Sequence, residues 1–81
     1  MLEPHANPVV LNRVDPARNM ARYYRVAIEP TLFGGSAVVR DWGRIGWSAR
    51  RRLDLYDDVD QAVAAAERLL QGKLRRGYVH G

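Results

Sequence analysis

Only one stretch of this chain repeats its apolar residues at helical spacing. Val59, Ala62, Val63, Ala66, Leu69, Leu70 and Leu74 recur three or four positions apart, which predicts one amphipathic helix over residues 59–76. The patterned segments ahead of it alternate instead. A lone helix covers one face of a sheet and no more, so the expected fold is α+β: a small antiparallel sheet of about four to five strands with the helix packed on one face. Eighty-one residues suffice for one domain, and with no cysteine its core must be held by packing alone. The compact part is expected over residues 9–78, between an N-terminal tail at 1–8 and a C-terminal tail at 79–81.

The helix carries its own boundary signals. Asp58 followed three residues later by Gln61 resembles a capping box, and Asp57, Asp58 and Asp60 sit at the end of the helix dipole that favours negative charge. Capping accounts for all three carboxylates, so no metal site is expected there. Lys73, Arg75 and Arg76 complement the other end, and Gly77 suits the left-handed residue just beyond it.

Among the strands, "PVVLNRV" at 8–14 reads as the first, and "DPARN" at 15–19 as the turn that stops it. "RYYRVAIE" at 22–29 alternates, with Tyr24, Val26 and Ile28 on one face and Tyr23, Arg25, Ala27 and Glu29 on the other. Gly34 and Gly35 supply a hairpin into "SAVVRDW", where Ala37, Val39 and Asp41 oppose Ser36, Val38, Arg40 and Trp42. In "ARRRLDLY", Arg51, Leu53 and Leu55 oppose Arg50, Arg52, Asp54 and Tyr56. Leu53 and Leu55 are expected to pack under the helix against Val63, Ala66 and Leu70. If Ala37 and Val39 also face inward, Arg40 and Trp42 join Tyr23 and Arg25 on the uncovered face.

Charge is distributed unevenly. The formal net charge is +4, and residues 40–52 alone hold five of the twelve arginines together with both tryptophans. Residues 53–60 follow with four aspartates, so the pattern describes a basic patch rather than a uniformly cationic surface. Arginine suits phosphate because its planar fork makes paired hydrogen bonds and keeps its charge near neutrality. The N-terminal residues show neither a basic start nor a long apolar run, so a cytoplasmic protein without a membrane segment is expected. His5 and His80 lie in the expected tails, and no nucleophile elbow or phosphate loop occurs. No catalytic residue, cofactor or metal is expected.

At "WGRIG", residues 42–46, the chain resembles a WGR domain, the module found in DNA-dependent poly(ADP-ribose) polymerases and in small bacterial proteins that consist of little else. The resemblance extends to "LN" at 11–12, Asn19, the aromatic pair Tyr23 and Tyr24 behind Arg22, and the closing alanine-rich helix. It implies a non-enzymatic nucleic-acid-binding module, for DNA ahead of RNA, acting at ends or nicks. Trp42 would be the stacking platform, Gly43 part of the motif, and Arg44 a contact to phosphate or to a partner. Arg22 and Arg76 hold matching basic positions, and Arg40, Arg50 and Arg52 complete the expected patch. The chain departs from the polymerases at Ala21, where they carry a polar residue, and at "WSARRR", which replaces a glycine-containing turn.

Each of these residues also has a plainer reading. Trp42 could be a core or sheet-edge indole, Arg44 could cap backbone carbonyls, and Arg50 and Arg52 could be a solvated face. A second functional class stays open as well: an adaptor that meets an acidic protein partner in trans, or a weakly self-associating module, through the same patch. Otherwise the chain is expected to be monomeric.

Overall fold

The computed structural model describes residues 8–81. The expected tail at 1–8 therefore lies almost wholly outside the described residues. Five strands form one antiparallel sheet: β1 (Val9–Asp15), β2 (Met20–Pro30), β3 (Ser36–Arg44), β4 (Arg50–Tyr56) and β5 (Val79–His80), in the order β4-β3-β2-β1-β5. The helix α1 (Val59–Arg75) crosses one face of this sheet. Residues 79–81 were expected as a tail, yet Val79 and His80 pair with Asn12 and Leu11 as a short fifth strand.

The ends of α1 follow the sequence signals. The Asp58 carboxylate accepts the Gln61 N–H at 2.9 Å. At the other end the Tyr78 and Gly77 N–H groups donate to the Lys73 and Leu74 carbonyls. This closure needs a left-handed residue, and Gly77 supplies it with φ of 95°. Tyr78 is thereby turned back into the core, which it shares with Leu11, Tyr24, Val26, Ile28, Val38, Ala62, Ala65, Ala66 and Leu70. The small alanines let the helix approach the sheet closely, and Ala65 joins them although the expected stripe omitted it.

Which face of β3 and β4 the helix covers differs from expectation. The β2–β3 register sets Ile28 opposite Val38, Val26 opposite Arg40 and Tyr24 opposite Trp42. Directly opposed residues share a face, so Val38, Arg40 and Trp42 lie on the helix side with Tyr24, Val26 and Ile28. The β3–β4 register then pairs Ala37 with Leu55 and Val39 with Leu53, which sends both leucines to the uncovered side, where they are 72% and 54% exposed. The expected packing of Leu53 and Leu55 under α1 is therefore wrong. Val38 and Val39 are both apolar and both buried, so alternation within β3 could not choose the inner parity. The pairing with β2 chose it.

On the uncovered face an ionic tie joins β2, β3 and the edge strand β4. Asp41 of β3 accepts from Arg51 Nε at 2.7 Å and from Arg25 Nη1 at 2.9 Å. Arg51, and then Arg25, hold its carboxyl below the usual aspartate range against the opposing effect of burial.

Two substitutions separate the covered face from the open one. Leu70 is 8% exposed, so Leu70→Ala is expected to cost roughly 2 to 5 kcal/mol. Leu55→Ala should stay within about 0.5 kcal/mol, as for an exposed position. Chemical denaturation of both variants checks this, and equal losses would contradict the placement of the helix.

Candidate nucleic-acid interface

Trp42 is half-buried at the end of β3, packed against the core from its rim. It lines two clefts. The first, about 400 Å³, lies between sheet and helix and is lined by Tyr24, Arg40 and Trp42 from the strands and by Arg68, Leu69, Gly72, Lys73 and Arg76 from α1 and its cap. The second, about 430 Å³, opens on the other side of the indole, among Arg18, Asn19, Arg22, Tyr23, Gly43 and Arg44.

The first cleft has four cationic side chains in its lining and no carboxylate. Arg40, whose side chain is only 17% exposed, gives one nitrogen to Asp54 at 3.0 Å, while its Nε is buried with no hydrogen-bond partner. The Tyr24 hydroxyl is likewise buried and unpartnered. Burial opposes the Arg40 charge, while the neighbouring Tyr24 hydroxyl and Asp54 together favour it. Lys73 Nζ lies 4.8 Å from the centre of the Tyr24 ring and 5.3 Å from that of Tyr78. Burial first, and then the charges of Arg76, Arg22 and Arg40, push its ammonium below the ordinary lysine value. Lys73 thus holds a positive charge that its own surroundings oppose.

The motif residues have local structural roles as well. Asn19 ends the turn at Pro16–Arg18 in the left-handed region, with φ of 51°. Arg44 spans from β3 to hold it, donating to the Asn19 carbonyl at 2.9 Å and to its side-chain oxygen at 3.1 Å. Gly43 makes room for the following loop: a Cβ there would stand 3.1 Å from the Ser48 carbonyl oxygen. In Arg44 the plainer reading, capping a carbonyl, is therefore present.

The remaining expected residues divide by their partners. Arg22 is exposed and opposite Arg44 in the β2–β3 register. Arg50 is exposed and opposite Trp42 in the β3–β4 register. Arg76 caps α1 and lines the first cleft. Arg22, Arg50 and Arg76 have no ion-pair partner among the described residues. Arg52 is opposite Arg40 and shares Asp54 with it, at 3.1 Å. Arg40 and Trp42, expected on the uncovered face, stand on the helix side of the sheet. Trp47 lies exposed in the turn that follows Arg44.

Sequence reasoning missed Arg68, Lys73 and Tyr24 as lining residues. Arg68, Gly72, Lys73 and Arg76 recur at helical spacing on one side of α1, which was a legible signal. What hid it was the assignment of Trp42 to the opposite face.

Comparison with known proteins agrees with this architecture. The profile of the WGR domain family matches residues 7–81, and the chain belongs to that family, a class of binding modules. A protein of Sinorhizobium fredii, the uncharacterized protein y4dW, is 44% identical over 68 residues, which cover 84% of this chain. The aligned region spans about a third, 33%, of that relative's length. No solved structure matches the chain. No helix among the described residues is long and apolar enough to cross a membrane.

Lys73 is the chain's single lysine, so its titration can be followed by NMR without assignment ambiguity. Its midpoint should fall below the ordinary value of about 10.4 and rise when inorganic phosphate is added, because a bound anion favours the charged form. A midpoint at or above the ordinary value would contradict the buried, cation-flanked setting.

Proposed function

We propose that this domain binds nucleic acid, DNA ahead of RNA, at a strand end or nick, and that it performs no chemistry there. The observation that carries the reading is the first cleft: four cationic side chains converge beside an indole, and no carboxylate lines the space. A phosphate group entering this space would meet Arg68, Lys73 and Arg76 with no carboxylate lining it to oppose the attraction. A continuous duplex backbone tracks over a surface, whereas a recessed cleft admits a group at the end of a strand. Trp42 lines the cleft half-buried, and the exposed part of its ring would offer a sugar or base a sequence-tolerant contact. Arg22 and Arg50 flank it and extend the attraction outward to neighbouring phosphates. The general tie between the WGR family and nucleic-acid binding is consistent with this assignment.

The energetic signatures differ by residue. With Arg22, Arg50, Lys73 and Arg76 neutralising about three to four phosphates, the logarithm of affinity should fall against the logarithm of salt with a slope of roughly −3. Trp42→Ala should lose about 1 to 3 kcal/mol of binding with that slope nearly unchanged. Arg76→Ala should reduce the slope by about one. Trp42 packs partly on the core, so a thermal melt accompanies each measurement and Trp42→Phe serves as the milder control.

The decisive comparison uses labelled duplexes with phosphorylated and dephosphorylated ends, nicked duplex and single strands. Tighter binding to phosphorylated ends, lost in Lys73→Met, supports the reading. A folded Trp42→Ala protein that binds every form as tightly as the wild type, or a flat salt response, would overturn it. An acidic protein partner would then be the better account of the patch.

A further inference from the structure

The outer edge of β4 is the longest open edge of the sheet. β4 pairs with β3 on one side, and among the described residues no backbone hydrogen bond reaches its other side. The opposite edge strand, β5, has only two residues, against seven in β4. Open edges expose unpaired N–H and C=O groups and are ordinarily blunted by proline, a bulge or a covering segment. β4 contains no proline, and its register with β3 runs unbroken from Tyr56 to Arg50. It also places Leu53 and Leu55 in solvent on the face away from the helix. Its charges alone guard it, and their order admits one particular partner.

We infer that β4 is a self-association edge, on which a second copy of this chain adds its own β4 in the antiparallel sense. The strand is centred on Leu53, so the alignment that pairs all seven residues sets Leu53 opposite Leu53 of the second copy. In that alignment Arg52 faces Asp54 of the other copy and Asp54 faces its Arg52. Arg51 faces Leu55, Arg50 faces Tyr56, and no arginine opposes an arginine. Sliding by two residues in one direction sets Arg52 against Arg52, and in the other Asp54 against Asp54. Like charges directly opposed are unfavourable, so charge selects the same register that pairs the whole strand.

The exposed leucines gain their partners in the same step. Leu53 meets its mate on the two-fold axis, and Leu55 lies diagonal to Leu53 of the second copy, within reach of a branched side chain. The interface is isologous and closes on itself, so it forms a dimer and not a fibre. Two five-stranded sheets become one, with both helices and both Trp42 clefts on the same face. The inference does not depend on what those clefts bind.

Cross-linking tests the register directly, because the chain has no cysteine of its own. Leu53→Cys puts a single thiol on the axis, where opposed Cα atoms lie about 4.5 to 5.5 Å apart, inside the range a disulfide spans. Leu55→Cys puts the two thiols four residues apart along the paired strands, about 13 Å by strand rise, outside that range. Both positions are exposed, so folding should be unaffected and a thermal melt confirms it. Under a mild oxidant Leu53→Cys is expected to form a covalent dimer at concentrations where Leu55→Cys stays monomeric. Sedimentation of the wild type should show a monomer–dimer equilibrium that Arg52→Asp shifts fully to monomer. A wild-type protein that remains monomeric at the highest attainable concentration, or equal cross-linking of the two cysteine variants, would overturn the inference.

Discussion

The pairing of β2 with β3 governs the placement of every residue of interest. Because side chains alternate along a strand, a shift of one residue in that register would exchange the two faces of β3 and carry β4 with it. With Ile28 opposite Val38, the valine meets the helix, and Arg40 and Trp42 follow it by parity. The indole is thereby set against α1 and becomes the rim of a cleft rather than an isolated surface ring. The same register places Val39 and Ala37 on the far side and carries Leu53 and Leu55 out to solvent with them.

Charge around the site is sorted by face. On the uncovered side Asp41 binds Arg25 and Arg51. On the helix side Asp54 occupies one nitrogen each of Arg40 and Arg52. Those carboxylates tie strands together, and among the described residues Arg22, Arg50, Arg76 and Lys73 are left without an ion-pair partner. Lys73 shows the consequence most clearly: its ammonium is desolvated between two aromatic rings and faces further cations. In the function proposed above, an arriving anion would relieve that repulsion. The Asp41 tie has a pH signature of its own. A carboxyl held low in the folded state contributes stability above the unfolded aspartate value of about 3.9, and that contribution is lost as the pH falls through the lower folded value.

In the Trp-Gly-Arg motif the glycine and the arginine have constructional roles. Gly43 lets the Ser48 backbone approach, and Arg44 secures the left-handed Asn19, which shapes the wall of the second cleft. Arg44 spends its fork on the protein itself, so the phosphate contacts proposed for this patch fall to its neighbours.

Much of the architecture was determined by the sequence alone, wherever the signal was local. The span of α1, its Asp58 cap, the Gly77 closure and the alternation of β2 all rest on contacts within a few residues, so their spacing reveals them. The family motif was equally legible, and so was the concentration of arginine around it. Tertiary structure decided which side of β3 faced the helix, because consecutive apolar residues at Ala37, Val38 and Val39 satisfy either parity and only pairing with β2 breaks the tie. The gathering of Arg68, Lys73 and Arg76 around Trp42, and the capture of Val79 and His80 by β1, were likewise set by contacts between residues far apart in the chain. Such contacts depend on how elements dock against one another, and no periodicity within a single element records that.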